Sequence, residues 1–242
     1  MADPMEGAKA AAARHAVDRY VRPGARLALG TGSTAEHAVR AIRAAFPDTP
    51  FNCVASSAAT ERLAASLGLS VRPLRGEDRF DLMIDGADEV TPSLDLTKGR
   101  GGALLREKLL ARLSDRLVIV VDESKLVPAL GSRAPIPLEV VPFCRPVLER
   151  ALPAGGFPVR LRHAEGGRAF RTENGNEILD MVPPEPIARP AEVEARLRTH
   201  LGVVETGLFL GLAERAVVGS VTGAVRELVR DGPCSGTARG VR

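Results

Sequence analysis

The chain is 242 residues long, 45% apolar and 26% charged, with a formal net charge of +3. That length buries a sizeable core as one domain or two unequal ones. No apolar run approaches the ~20 residues of a membrane span, and dispersed basic residues with one Tyr and no Trp argue against a nucleic-acid surface.

The N-terminal segment carries acids and lacks a compact apolar stretch, so it does not read as a secretory signal. Residues 5–21 predict an amphipathic helix ending near Arg22-Pro23-Gly24, followed by a strand, RLALG (26–30), and a helix over 34–46. FNCVAS (51–56) predicts a second strand, ATERLAASLG (59–68) a helix closed by Gly68, and LSVRPL a short strand. FDLMIDGADE (80–89) is an apolar strand running into acids. ALLREKLLARLS (103–114) is a strong helix, and RLVIVVDESK (116–125) is the most continuous apolar strand of all. Strands and helices alternate, and the strands are apolar runs rather than alternators. This pattern predicts a parallel sheet covered by helices on both faces.

After Pro128 the chain becomes proline-rich, and its pattern reads strand, helix, three strands, helix, strand. Asn174-Gly175 marks a hairpin within it, and PAEVEARLRTHLG (190–202) is a helix with proline near its start and Gly202 at its end. That order predicts a small ferredoxin-like α+β module inserted into the chain. The run at 206–229 then returns to the first domain, and the polar, glycine-rich stretch from Asp231 predicts a disordered tail. The expected organisation is thus a first domain over 1–130 completed by 206–230, a second over 131–205, and a tail over 231–242.

Cys53, Cys144 and Cys234 are scattered with no CxxC pair, which predicts reduced thiols in a cytoplasmic protein and neither disulfides nor a zinc site. Of the 33 Lys and Arg, only Lys9, Lys98, Lys108 and Lys125 are lysines. Arg does not replace the compact ammonium of Lys, so each lysine is a considered choice.

In an open parallel sheet, ligands bind outside the carboxyl ends of the strands. Four strand ends here carry unusual chemistry. At the first, Gly30-Thr31-Gly32-Ser33-Thr34-Ala35 fits the relaxed dinucleotide fingerprint, but no acid follows the second strand, which ends Ala55-Ser56-Ser57. The hydroxyls of Thr31, Ser33 and Thr34, beside backbone N–H groups at a helix start, suit a small phosphate better; the same turn also serves as plain helix capping. At the second, Asp85, Asp88 and Glu89 place three acids together, for a hard cation, for sugar hydroxyls and proton movement, or for capping. At the third, KGRGGALLREK puts Lys98 before a glycine turn, with Glu107 about two helical turns into the next helix. At the fourth, DESK sets Lys125 within reach of a phosphate.

GTGST at 30–34, DGADEV at 85–90, KGRGGALLREK at 98–108 and DESKLV at 122–127, with ENGNEILD at 173–180 and GVVETGLF at 202–209, together resemble type A ribose-5-phosphate isomerase. Each motif is modest; all of them in this order are highly specific. The resemblance implies a Rossmann-like parallel-sheet catalytic domain with a smaller inserted ferredoxin-like α+β lid domain, and a homodimer or homotetramer. It also implies cofactor-free, metal-independent interconversion of ribose 5-phosphate and ribulose 5-phosphate in the pentose phosphate pathway. Carried over by position, the catalytic base falls on Glu107, the substrate-contacting acids on Asp85 and Asp88, and the active-site lysine on Lys98. The substrate-binding positions fall on Thr31, Gly32, Ser33, Thr34, Gly86, Ala87, Gly99, Arg100, Gly101 and Lys125. Arg100 stands where some relatives carry Gly.

Three other readings have distinct signatures. A glucosamine-6-phosphate-type enzyme would place a His near its acids, but His15, His37, His163 and His200 lie outside the motifs. A sugar-phosphate sensor would add a helix-turn-helix, for which the roughly 25 residues before the first strand are too few. An NAD-dependent dehydrogenase would need the missing acid.

Overall fold

The structure is a computed structural model that describes residues 4–232. Most of the predicted tail, with Cys234, lies outside the described residues. In chain order the elements are α1 (Pro4–Tyr20), β1 (Arg26–Leu29), α2 (Ser33–Ala45), β2 (Asn52–Ala55), α3 (Ala58–Ser66), β3 (Ser70–Val71) and β4 (Leu82–Asp85). Then come β5 (Glu89–Val90), β6 (Leu96–Thr97), α4 (Leu104–Arg112), β7 (Leu117–Asp122) and β8 (Ile136–Val140). The chain continues through α5 (Arg145–Ala154), β9 (Val159–Leu161), β10 (Glu177–Met181), α6 (Pro190–Arg198) and β11 (Val203–Thr206). It ends with β12 (Leu208–Phe209), β13 (Arg215–Gly219) and β14 (Val225–Val229).

These elements form two compact units. The first comprises the residues up to Ala87, Arg106–Leu126, and those from Gly211 on; the second comprises Asp88–Leu105 and Val127–Leu210. The sequence drew the boundaries at 130 and 206. The structure draws them elsewhere because β5 and β6 pair with β12 in a small antiparallel sheet of their own, which ties residues 88–105 to the later segment. The chain therefore rejoins the first unit at Gly211 rather than at Thr206.

The first unit holds a seven-stranded sheet in the order β14-β13-β7-β4-β1-β2-β3. It is parallel except for its last hairpin, β13–β14. All six residues of β7 and all four of β4 are buried, as expected of apolar runs covered on both faces. Leu27, Leu29, Leu82, Ile84, Val118 and Val120 face one way, into a core shared with α1, α2 and α3. The alanine stripe of α1 (Ala8, Ala12, Ala16) lets this helix lie close to the sheet. At Gly219 a Cβ would come within 2.7 Å of the Ala8 carbonyl carbon, so only glycine fits the end of β13.

Strand order fixes where a ligand can sit. From β1 the chain moves to β2 on one side, and later from β4 to β7 on the other. Right-handed crossovers then send α2 and α3 to one face and α4 to the opposite face. The carboxyl ends of β1 and β4 flank the point where the winding reverses, which leaves a crevice there.

The second unit contains the order β8-α5-β9-β10-α6-β11, a β-α-β-β-α-β unit whose sheet is arranged β11-β8-β10-β9 and is antiparallel throughout. Leu138, Val140, Leu179 and Met181 pack with Leu148, Leu152 and Leu197 of α5 and α6. Between the two helices the sequence predicted three strands. The structure has two regular ones, and the third is reduced to isolated bridges at Ala169 and Arg171. That stretch bonds outward through single bridges because it serves the hairpin turn at Asn174-Gly175, where Gly175 adopts φ 80° and donates to Thr172.

Candidate active site

In the first unit, the turn after β1 and the turn after β4 are built against each other. Gly30 donates to the Ile84 carbonyl, and a Cβ on Gly30 would stand 2.6 Å from Asp85 Cβ and nearer still to its carboxylate. Glycine is required here by close approach, not by an unusual φ. Asp85 is fully buried. Its Oδ1 accepts the backbone N–H of Thr31 at 3.1 Å and of Gly86 at 2.7 Å, the partners that a buried polar group requires. Gly86 and Thr34 are also neighbours, since a Cβ on Gly86 would lie 3.4 Å from Thr34 Cβ. Thus Thr31, Thr34, Asp85 and Gly86, far apart in sequence, form one wall, and Ala87 follows them directly.

Gly32 precedes α2 with φ 94°, a value that only glycine adopts easily, and no side chain caps the helix. The first N–H groups of α2, at Ser33 and Thr34, lack intrahelical partners by geometry and present the positive end of the helix dipole. Such a terminus is suited to an anion.

Three residues that the sequence reading passed over complete this wall. The buried Ser56 hydroxyl meets Thr31 Oγ1 at 2.6 Å, and Thr60 Oγ1 donates to the Gly30 carbonyl at 2.8 Å. The Lys9 ammonium donates to Ser33 Oγ at 3.2 Å, with Glu6 2.7 Å from it. The scarcity of lysine was the available signal for Lys9; nothing local marked Ser56 or Thr60.

Glu107 is the fourth residue of α4, in the first turn and not two turns in as the sequence suggested, because the helix starts at Leu104 and four residues make about one turn. The position brings its carboxylate within the favourable end of the helix dipole. Glu107 is only 4% exposed and the next residue, Lys108, is buried as well, so neither is the solvated surface group that a helical Glu or Lys ordinarily is. Lys125 ends a short 3-10 turn after β7 and is half-buried. The turn is capped by the buried Asp122, whose Oδ1 accepts the Ser124 N–H at 2.9 Å.

In the second unit, Asp88, Lys98, Gly99, Arg100 and Gly101 gather around the end of β6. Lys98 is buried; its backbone N–H donates to the Gly207 carbonyl at 2.9 Å, and its ammonium lies 5.5 Å from the Phe209 ring centroid. Gly99 turns the chain at φ 102°. The Asp88 N–H donates to the Thr97 carbonyl, and Asp88 Oδ2 accepts the Arg100 N–H at 3.1 Å. The Arg100 N–H is thus engaged within the turn by Asp88.

The three acids of DGADE bond to different segments. Asp85 binds the β1 turn, Asp88 binds the glycine turn, and the fully buried Glu89 accepts N–H groups of Gly131, Arg133 and Ala134 together with the Thr97 hydroxyl. Glu89 is a structural anchor for the 131–134 loop. Among the described residues, no three His, Cys, Asp or Glu side chains are grouped to hold a metal ion. Nor is any helix there long and apolar enough to cross a membrane.

The chain matches the family described as Ribose 5-phosphate isomerase A (phosphoriboisomerase A) over residues 52–223. It is 48% identical to Ribose-5-phosphate isomerase A of Thermomicrobium roseum over 240 residues, covering 97% of this chain and 98% of the relative. It is 45% identical to Ribose-5-phosphate isomerase A of Deinococcus radiodurans, over 93% of this chain and 99% of that one. The solved structure of ribose 5-phosphate isomerase from Plasmodium falciparum superposes with a TM-score of 0.89 at 34% identity, covering 94% of this chain and all of that one. A D-ribose-5-phosphate isomerase in complex with phospho-erythronic acid superposes with a TM-score of 0.88 at 32% identity, covering 93% and 99% of the two chains.

Proposed function

The chain belongs to the ribose 5-phosphate isomerase A family, and on that footing we propose that it interconverts D-ribose 5-phosphate and D-ribulose 5-phosphate with Glu107 as the base. The observation that supports this reading most is the burial of Glu107 in the first turn of α4, directly after the glycine turn. A carboxylate sheltered from water can carry one proton between two neighbouring carbons without losing it to solvent.

The reaction starts from the furanose. Asp85 or Asp88 assists ring opening by taking the O1 proton and passing it to the ring oxygen O4 as the C1–O4 bond breaks, which frees the C1 aldehyde. Glu107 then removes the C2 proton, and the electron pair passes through the new C1–C2 double bond to O1, giving an enediolate. Lys98 and the N–H groups of Gly99 and Gly101 supply donors for that oxyanion, each such donor contributing about 10²–10³-fold, while the Arg100 N–H stays on Asp88. Glu107 returns its proton to C1, the O2 proton moves to O1, and the C2 ketone is complete. No electron leaves the substrate, so the reaction needs no redox cofactor. The α2 N-terminus with Ser33, Thr34 and Lys9, and Lys125 after β7, are the groups suited to the substrate phosphate. Phospho-erythronic acid in a related structure supports a phosphorylated sugar as ligand.

We also carry forward a homodimer or homotetramer, to be read by light scattering of the purified chain, and a cytoplasmic location. The decisive assay incubates the chain with ribose 5-phosphate in EDTA and follows ketose formation, with a parallel run in D₂O. Turnover with deuterium entering at C1 or C2 is the expected result. Rescue only by a divalent ion refutes the metal-free route, isomerisation without deuterium entry refutes the proton-transfer route, and no turnover favours the sensor reading.

A further inference from the structure

The glycine turn at 99–102 is closed by a single internal hydrogen bond, from the Gly102 N–H to the Gly99 carbonyl at 2.9 Å. Gly99 and Gly102 both have positive φ, 102° and 80°, and glycine is the residue with most conformational freedom to lose. That one bond leaves the Arg100 carbonyl and the peptide after it unfixed, and Arg162, just past the end of β9, is placed to hold them. Its Nη1 donates to the Gly99 carbonyl at 2.9 Å and to the Arg100 carbonyl at 2.8 Å. On its other edge, Nε donates to Asp180 Oδ2 at 2.9 Å and Nη2 pairs with Asp180 Oδ1. The guanidinium is thus gripped as a fork by one carboxylate and turns its third nitrogen, Nη1, to two consecutive backbone carbonyls.

We propose that Arg162 is a positioning residue for the isomerase reaction, orienting the N–H groups of the glycine turn; this rests on the function proposed above. The reasoning follows from the trans peptide, whose C=O and N–H point in opposite directions. The Gly99–Arg100 peptide is pinned at both ends, its carbonyl by Arg162 and its N–H by Asp88. The Arg100–Gly101 peptide is pinned at its carbonyl by Arg162, which turns the Gly101 N–H away from the guanidinium. Arg162 thereby sets the direction of the donor assigned to substrate oxygen, without reaching the substrate itself.

The support for Arg162 is itself braced. The Phe170 ring fills the space beside Gly102, where a Cβ would come within 2.6 Å of Cζ, and the Arg162 guanidinium lies 5.8 Å from the ring centroid. Farther along this hairpin, Thr172, Asn174 and Asn176 all donate to Oε1 of the buried Glu139 on β8, at 2.9–3.0 Å. The ENGNEILD motif therefore has a physical purpose: Asn174 and Asn176 clip the hairpin to the sheet, and Asp180 holds the arginine. A cavity of about 430 Å³ beside the turn, lined by Asp88, Arg100, Arg162 and Asp180 among others, gives the pair room to relax when either member is lost.

The test compares wild type, Arg162→Ala, Arg162→Lys and Asp180→Asn in ribose 5-phosphate kinetics at 25 °C, each with a thermal melt. Arg162→Ala should lose at least tenfold in kcat while KM changes less than threefold, because the misdirected N–H matters most when charge develops on oxygen. Lys reaches one carbonyl but cannot form the Asp180 fork, so Arg162→Lys should recover part of the loss. Asp180→Asn keeps the cation, relaxes its grip and should fall between the two; it also carries the test if Arg162→Ala does not fold. An active wild type with kcat in Arg162→Ala, or failing that in Asp180→Asn, within twofold of normal overturns the positioning role, whatever the melting temperatures. A wild type without isomerase activity overturns the reading on which the proposal rests.

Discussion

Replacing Gly30 by Ala adds one methyl group, and the structure specifies what it strikes. The new Cβ would stand 2.6 Å from Asp85 Cβ and closer to Cγ and Oδ1. Since the whole side chain is in the way, a rotamer change of its tip does not relieve the clash. With ordinary contact beginning near 3.4 Å, Asp85 must retreat by roughly 1 Å or more. Such a shift breaks its bonds to the Thr31 and Gly86 N–H groups, now 3.1 and 2.7 Å long. Overpacking costs about 1–3 kcal/mol, and each hydrogen bond to a buried charge contributes about 1.5–3 kcal/mol. A combined loss of about 4–9 kcal/mol is a large part of a typical total stability of ~5–15 kcal/mol. For a chain of this size even the lower figure corresponds to a fall in Tm of roughly 10 °C. Because Asp85 is also assigned to the substrate, kcat of the folded enzyme should drop more than tenfold at 25 °C. Gly76→Ala is the control, since a Cβ there meets nothing within 4 Å. Thermal melts and ketose-formation rates on both variants decide the matter. Gly30→Ala with a Tm within about 2 °C of wild type and unchanged kcat would refute the close-approach argument.

Glu107→Gln should lose at least about a hundredfold in kcat with little change in KM; steady-state kinetics showing near-normal turnover would remove Glu107 from the role of base. Gly207→Ala should impair both folding and activity, because its Cβ would fall 2.6 Å from Pro137 Cδ and closer to the Lys98 carbonyl, which is backbone and yields little; a soluble, fully active variant would contradict this. The Arg72 guanidinium holds the Asp78 carboxyl down to about 2, helped by the Arg75 N–H. This depressed pKa contributes stability above the ordinary carboxylate value, and the contribution is lost as pH falls through about 2. With Arg72 partly exposed, screening limits it to about 1 kcal/mol. Urea midpoints of Asp78→Asn should therefore lie below wild type at pH 7 and converge with it between pH 4 and 2; a gap that persists or grows in acid would reverse the sign of the argument.

The element types were legible because they depend on local pattern. Apolar runs such as LVIVVD, glycine at helix ends, and Asn174-Gly175 each carry their signal within a few residues. The motif order was legible as well, and with it the family, since GTGST, DGADEV, KGRGG and DESK survive as contiguous strings. The boundaries of the two units were not, because β12 pairs with β6 across more than a hundred residues, and no local property of Leu208 or Phe209 announces that partner. For the same reason, DGADE read as one acidic cluster, whereas its members bond to three separate segments.

By itself, the sequence determined which chemical groups this chain owns and the turns that display them: two glycine turns, four lysines, and a glutamate beside one of those turns. Only the tertiary structure decided what each group experiences. It buried Glu107 and Lys98, pressed Asp85 against Gly30, and brought Arg162 from the far side of a hairpin to the carbonyls of Gly99 and Arg100. Burial and hydrogen-bond partners are properties of the folded neighbourhood, and chain segments distant in sequence supply that neighbourhood.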